Sequence, residues 1–303
     1  KQMANLYSQK DSNIRKTWLL LTGFFLFIIA FGWIISYVWQ APEILYIAVF
    51  LSIGMNILTY WKSDTIALAM SRAKPIPREG NEYVYRMIEN LCIAAGLPTP
   101  RIYLIDSPQI NAFATGRDPK HAAVAITTGA IQKLQNEELE GVLAHELSHI
   151  GNRDILVSTI VVVMAGLISI LSDIILRATF HGSFGNNRDN KGRGAGIVLL
   201  LGLAAAILAP IAATIIQLAV SRKREFLADA SGALLTRYPE GLARALEKIG
   251  GDEVPMRYAH NGTAHLFIAN PFKGKEAMNW FAKLFSTHPP LEERVRILRD
   301  MRV

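Results

Sequence analysis

The chain has 303 residues, of which 51% are hydrophobic and 19% are charged, with a net charge of +7 at pH 7. That length allows one large domain or two modest ones. The apolar residues are concentrated in a few long runs, as is typical of membrane segments, and basic residues beside such runs suit anionic lipid headgroups. The sequence has no basic helix face with interleaved aromatic residues, so we expect no nucleic-acid partner. The single cysteine, Cys92, excludes an internal disulfide and a cysteine-based metal cluster.

Two apolar runs near the start predict a transmembrane hairpin. Residues 17–39 form 23 positions without a charge, and residues 44–61 form a second run after a loop of four residues. At about 1.5 Å per residue, a helix of the first length spans a hydrocarbon core of about 30 Å. Lysine and arginine flank the outer ends of both runs and are missing from the connecting loop. The positive-inside rule therefore places both ends of the hairpin in the cytoplasm.

Residues 75–152 have the pattern of a soluble domain. Helical periodicity predicts a helix over residues 81–95, and alternation predicts strands at 101–105, 111–114 and 122–127. A further helix is predicted from an Asn136 cap to about Ile150, since acidic residues fill its first turn. Two more apolar runs follow, at 155–176 and 197–220, and the remainder from 221 is predicted to be soluble and helical.

The predicted helix at Asn136 contains the pattern H-E-x-x-H, as His145-Glu146-Leu147-Ser148-His149. Residues four apart share one helix face, so the two imidazoles can bind one metal ion at about 2.0–2.1 Å. Glu146 is rotated from that face and can act as a general base toward a water activated by zinc. The alternative is two ordinary helix histidines beside a glutamate.

A catalytic zinc ion needs a third protein ligand, and residues 221–230 are the best source. This segment is predicted to be helical, so Glu225 and Asp229 share a face. We expect Glu225 to be the ligand and Asp229 to accept a hydrogen bond from a ligand histidine. Taken alone, such a pair is typical of a solvated face beside basic residues. Because His149 and Glu225 must meet at one ion, the chain between them crosses the membrane twice or not at all.

HELSH, followed after the apolar insertion by SRKREFLADA, resembles the HtpX branch of the membrane zinc endopeptidases, which are relatives of the CAAX prenyl proteases. The resemblance covers nearly the whole chain, including NAFATG, AVAITTGAI, HLFIANPF and STHPPLEERVRIL. It implies one zinc ion per chain held by His145, His149 and Glu225, with Glu146 as the base. It also implies a role in membrane-protein quality control under stress.

Two further features have open interpretations. The strand at 122–127 is either the edge strand beside the cleft, to which an extended peptide adds by backbone hydrogen bonds, or an ordinary sheet strand. His288 precedes a helix that has proline in its first turn. It either donates to the oxyanion, occupies the open position of the zinc ion, or is simply a residue at a helix entry.

The predicted architecture is mainly α, of the α+β class, with about four hydrophobic helices and a zincin-like cytoplasmic metalloprotease domain. Its parts are a transmembrane hairpin (1–61), the first part of the catalytic domain (62–154), a second hydrophobic hairpin (155–220) and the second part of the domain (221–303). We expect a multi-pass endopeptidase of the cell (inner) membrane, lying in the lipid bilayer with its active site facing the cytoplasm. Its expected substrates are misfolded or damaged membrane proteins and unfolded polypeptides. No oligomeric state is indicated.

Two rival functions belong to other classes. One is a non-catalytic zinc-binding membrane scaffold or chaperone, against which the intact Glu146 counts, since a structural site has no use for a base. The other is a transporter with a metal site. Only a few polar residues, among them Asp173 and Gln217, interrupt the apolar runs, which is too few for an ion path.

Overall fold

The computed structural model describes residues 6–164, 222–256, 263–272 and 289–301. Within these ranges the protein is mainly helical and has one small sheet, which confirms the predicted class. In chain order the elements are α1 (Leu6–Trp39), α2 (Glu43–Met70), β1 (Lys74–Pro75), α3 (Glu82–Ala95), β2 (Arg101–Ile105), β3 (Ala112–Thr115), β4 (Ala123–Thr127), α4 (Thr128–Lys133), α5 (Asn136–Gly151), α6 (Asp154–Met164), α7 (Arg222–Thr236), α8 (Pro239–Gly251) and α9 (Leu291–Arg299). Short 3₁₀ turns occupy Pro119–His121 and Ala264–Leu266.

Helices α1 and α2 pack along each other and form the predicted hairpin, closed by a turn in which Gln40 has a φ of 52°. Two stretches, Ser12–Ala30 and Glu43–Met70, are long and apolar enough to cross a membrane. With 34 residues, α1 is about 51 Å long, which exceeds the hydrocarbon thickness. Its N-terminal part contacts the domain, where Asn13 donates to Asn152 and Asp154. Of the predicted second hairpin, residues 165–220 lie outside the described ranges.

The sheet has the strand order β1-β2-β4-β3, with β2 and β4 parallel and the other pairs antiparallel. The interpretation of residues 122–127 as an edge strand is therefore wrong. β4 is an interior strand and all five of its residues are buried, because its small and β-branched side chains pack on both faces of the sheet. The two edges of the sheet are formed by β1 and β3, and β3 is the one that contacts α5.

The sheet separates two hydrophobic clusters. On one face, residues such as Val124 and Ile126 pack with α3, α5, α8 and α9. On the other face, Phe113 packs with the end of α2, with Val162 of α6 and edge-to-face with Phe267 at 5.0 Å between ring centroids. The domain thus packs directly against the end of the membrane hairpin.

Helix α5 runs through the middle of the domain, between β3, α7 and α8. Gln135 is its N-cap, one residue before the predicted cap, and the Gln135 N–H donates to Glu138 at 2.8 Å. Gly232 of α7 faces the backbone of His145, and a Cβ at this position would lie 3.0 Å from the His145 nitrogen. The missing side chain lets α7 approach α5 closely at the H-E-x-x-H turn.

Candidate metal centre

Helix α5 presents His145 and His149 on one face, one turn apart. Their Nε2 atoms are 3.2 Å apart and the two rings are nearly perpendicular, at 88°. The His145 side chain is 1% exposed and that of His149 is 16% exposed. Both imidazoles therefore point at one small volume inside the domain, which solvent reaches from the His149 side.

Helix α7 brings Glu225 to the same point. Its Oε2 atom lies 3.8 Å from His145 Nε2, and its Oε1 atom lies 3.6 Å from His149 Nε2. Three ligand atoms held at 2.0–2.1 Å around a tetrahedral zinc ion lie about 3.3 Å from one another. The spacing of this donor set fits such an ion after shifts of a few tenths of an ångström.

His145 is oriented by two buried residues from outside its helix. Its Nδ1 lies 2.9 Å from an Asp229 oxygen, and Arg294 of α9 binds that carboxylate through two nitrogens, at 2.6 and 2.8 Å. Arg294 is fully buried and also donates to the Ile268 carbonyl at 3.3 Å. Burial by itself raises the pKa of Asp229, but the charge and hydrogen bonds of Arg294, with the bond from His145, lower that pKa to about 2. Asp229 is therefore a permanent anion beside His145.

His149 is oriented from a different direction. Its Nδ1 lies 3.1 Å from Asp154, the first residue of α6, and the other oxygen of that carboxylate accepts from Asn13 of α1 at 2.7 Å. Burial lowers the pKa of His149, but the hydrogen bond to Asp154 and the charge of Glu225 raise it overall to about 9. The surroundings of this ring strongly favour positive charge.

The two aspartates determine which ring nitrogens face the centre. A carboxylate accepts hydrogen bonds, so each Nδ1 faces its aspartate as the donor and each ring turns its Nε2 toward the centre. Positive charge is needed at this point, because the two Nε2 atoms lie 3.2 Å apart beside the Glu225 carboxylate in a buried site, and either a proton on His149 or a metal ion among the three groups supplies it. The chemistry of the donor set thus fits a divalent metal ion.

Glu146 is buried next to the two imidazoles, and the Ala114 N–H of the edge strand β3 donates a hydrogen bond to it. Burial raises the pKa of this carboxyl above its ordinary value, while the neighbouring histidines oppose that shift. A carboxylate in such a place can take up a proton near neutral pH more readily than an exposed glutamate.

The structure brings together five residues that the sequence indicated, namely His145, Glu146, His149, Glu225 and Asp229. The sixth, His288, lies outside the described residues. Sequence reasoning missed Asn13, Asp154 and Arg294. Arg294 follows two glutamates on an amphipathic helix, where an arginine resembles a solvated charge, and Asp154 reaches His149 only because the chain turns a corner at Arg153, whose φ is 56°.

The family model described as Peptidase family M48 matches residues 78–302. The chain belongs to this family. Its relatives include proteins named protease HtpX homolog, one from Caldanaerobacter subterraneus subsp. tengcongensis with 46% identity over 98% of both chains, and one from Thermoanaerobacter pseudethanolicus with the same identity and coverage. Another from Thermococcus kodakarensis is 46% identical over 88% of this chain and 90% of its own.

A weaker likeness is to the crystal structure of S. mikatae Ste24p, with a TM-score of 0.49 and 20% identity over 97% of this chain and 67% of that chain. The family and the HtpX relatives establish that the protein is an HtpX-type M48 metalloprotease, a hydrolase of peptide bonds. The sequence resemblance is thereby confirmed. Membership of a metalloprotease family also agrees with the metal-binding character of the cluster around His145.

Proposed function

We propose that this M48 member is a membrane-embedded zinc endopeptidase that uses one zinc ion per chain, held by His145, His149 and Glu225. One observation carries the proposal, namely the convergence of two imidazole nitrogens and one carboxylate with the spacing of the ligands of a tetrahedral ion. The aspartates behind the histidines support it, because metal-binding imidazoles usually donate their other N–H to a carboxylate or carbonyl.

Zinc bound there would supply Lewis acidity, polarising a peptide carbonyl and making a water nucleophilic at neutral pH. Glu146 then acts as the general base, taking the proton of the attacking water and passing it to the leaving amine nitrogen. The Ala114 N–H donates to the Glu146 carboxylate and fixes its position, and burial raises the pKa of that carboxyl, which favours its uptake of a proton. The proton transfers by Glu146 distinguish a protease from a zinc scaffold, which needs no general base.

We further propose that the substrate peptide pairs with the outer side of β3, the edge strand next to Glu146. The Asn111 carbonyl accepts from the Thr127 N–H of β4, and hydrogen-bonded residues alternate along an antiparallel pair. The backbone N–H and C=O groups of Ala112 and Ala114 therefore point away from β4. The Ala112 carbonyl accepts from the Ile268 N–H and the Ala114 N–H donates to Glu146, so the substrate backbone would pair with the Ala114 carbonyl. Backbone pairing binds an extended segment without strict sequence preference, as expected for an enzyme that acts on misfolded or damaged membrane proteins and unfolded polypeptides.

The central test replaces Glu146 with Gln and measures zinc content and cleavage of an unfolded test protein by the detergent-solubilised chain. We expect about one zinc ion per chain in both proteins, chelator-sensitive cleavage by the parent, and a loss of at least 100-fold in the variant. Glu140→Gln, on the same helix but more exposed, is the matched control and should cleave like the parent. Equal cleavage by Glu146→Gln and the parent would overturn the base assignment, and a zinc-free active parent would overturn the metal site.

We also propose the four-part organisation with boundaries at residues 61, 154 and 220, in a multi-pass protein of the cell (inner) membrane whose active site faces the cytoplasm. Flanking positive charge supports this orientation. Cysteines introduced by Gln40→Cys, in the hairpin turn, and by Lys120→Cys, in the domain, test it, since both positions are exposed and Cys92 is buried. An impermeant maleimide should label only the first in intact cells, and labelling of only the second would reverse the topology.

A further inference from the structure

Asn13 is a buried amide at the start of the candidate span in α1, at the end of the hairpin that contacts the domain. Its side-chain nitrogen donates to Asp154 at 2.7 Å and to the Asn152 carbonyl at 3.3 Å. Both partners present only lone pairs at these contacts, so the amide must face them with its NH₂ group. The first membrane helix is thereby hydrogen-bonded to the corner between α5 and α6.

That corner needs a fixed geometry. Helices α5 and α6 meet at 87° across a break of two residues, and Arg153 adopts a left-handed φ of 56° there. The turn places Asp154 at the start of α6, with one carboxylate oxygen on Asn13 and the other on His149 Nδ1. Without Asn13, one of these oxygens loses its hydrogen bond and the carboxylate is free to rotate.

The charge of Asp154 is buried, which increases the effect of each partner. The Asp154 side chain is 4% exposed, and Arg224 lies 3.9 Å away, outside hydrogen-bonding distance. The start of α6 adds the positive end of a helix dipole. Among the described contacts of this carboxylate, only those with Asn13 and His149 have hydrogen-bonding geometry. Asn13 is therefore placed to decide where the Asp154 carboxylate lies.

We propose that Asn13 is a positioning residue for the metal centre, because it holds Asp154 in the orientation that aims His149 Nε2 at the ion. This inference rests on the proposed function, in which His149 is a ligand. Its consequence is that the ligand set is fully ordered only when the first membrane helix is seated against the domain. Correct insertion of α1 and tight metal binding are then linked through three side chains.

The experiment uses the full-length protein in detergent and measures zinc affinity by competition with a chromogenic chelator. Asp154→Asn should weaken zinc binding about 10- to 100-fold, the usual range for a residue that orients a metal-binding histidine. Asn13→Leu, which is nearly isosteric but lacks the donor, should weaken it about 3- to 10-fold. Because Asn13 acts through Asp154, the double variant should bind zinc no more weakly than Asp154→Asn alone.

Thr17→Val is the matched control. Thr17 lies one turn along the same face of α1, is equally buried, and its hydroxyl has no hydrogen-bond partner among the described residues. This variant should bind zinc like the parent.

If Asn13→Leu folds poorly, Asn13→Ser, whose hydroxyl is too short to reach Asp154, should show the same loss of affinity. The absorption spectrum of the cobalt-substituted protein then reports whether the ligand geometry has changed.

The inference is overturned if Asn13→Leu or Asn13→Ser binds zinc as tightly as Thr17→Val, or if the effects of Asn13→Leu and Asp154→Asn multiply in the double variant. Failure of the proposed function would look different. A parent that binds no zinc, or that keeps its activity after Glu146→Gln, contradicts the site itself, whereas a zinc-binding parent with an unaffected Asn13 variant contradicts only the coupling.

Discussion

The two histidines of one motif are held in place by two different parts of the molecule. His145 is oriented from within the domain, by Asp229 on the helix that carries Glu225 and by Arg294 behind it. His149 is oriented across a corner in the chain, by Asp154 and then by Asn13 from the membrane hairpin. Helix geometry alone brings the rings to one face, but their rotation depends on these separate supports.

The two supports also differ in their electrostatics. Asp229 is neutralised by a fully buried arginine that binds both of its oxygens. Asp154 has a neutral amide and an arginine at 3.9 Å. We therefore expect the support of His145 to dominate the stability of the fold, and that of His149 to tune metal binding with little effect on stability. The predictions below test this contrast.

The largest effect should come from Arg294→Met. Removing one member of a buried ion pair leaves the Asp229 carboxylate unpaired, which typically costs about 3–5 kcal/mol. Denaturant unfolding of the zinc-free protein in detergent measures the loss. Arg299→Gln is the control on the same helix, because Arg299 pairs with Glu240 and Glu247 at the surface, and it should leave stability unchanged. Similar losses in the two variants would show that the buried pair does not dominate.

The second prediction concerns the stability of the fold in acid. The pKa of Asp229 is about 2 in the folded protein, below the value of about 3.9 expected for an unfolded chain. Its ionised form therefore stabilises the fold fully above pH 4, and this contribution, about 2–3 kcal/mol, is lost as the pH falls from 4 to 2. The parent's advantage in unfolding free energy over Asp229→Asn, measured with chelator present, should shrink over that interval. A constant difference from pH 5 to pH 2 would contradict the assigned pKa.

The sequence predicted the parts of the centre that local geometry determines. Residues four apart on a helix share a face, so His145 and His149 followed from spacing, and Glu225 followed from the need for a third ligand. The hairpin α1–α2 and most strand positions followed from hydrophobic pattern. Each of these predictions rests on residues close together in the chain or on the coordination chemistry of zinc.

What could not be predicted depends on contacts distant in sequence. Asn13 and Asp154 are 141 residues apart, and Arg294 and Asp229 are 65 apart. No periodicity marks such pairs before the fold is known. Strand order is a tertiary property as well, which is why the sequence leaves open whether β4 is an edge strand or an interior strand, and the structure shows it to be interior.

A third, intermediate effect should follow from Gly232→Val. A side chain there meets the His145 backbone at 3.0 Å and forces α7 away from α5. Overpacking of this kind costs about 1–3 kcal/mol. Because α7 carries Glu225 and Asp229, zinc affinity should fall together with stability. Gly251→Val, at the end of α8 with nothing within 4 Å of the added Cβ, is the control. Normal zinc affinity in Gly232→Val would mean that α7 can shift without moving its ligands.

The smallest effect should come from Asp64→Asn, at another contact between the hairpin and the domain. Asp64 of α2 pairs with Arg101 of β2, whose side chain is 49% exposed, so the pair should contribute no more than about 1 kcal/mol. Neither residue contacts His149 or Asp154, and zinc affinity should stay within a factor of two of the parent when measured by the same chelator competition. A loss as large as that of Asn13→Leu would mean that any loosening of the hairpin disturbs the metal centre. If Asp64→Asn keeps its zinc affinity while Asn13→Leu loses affinity, the influence of the membrane helices reaches His149 through the Asn13 amide.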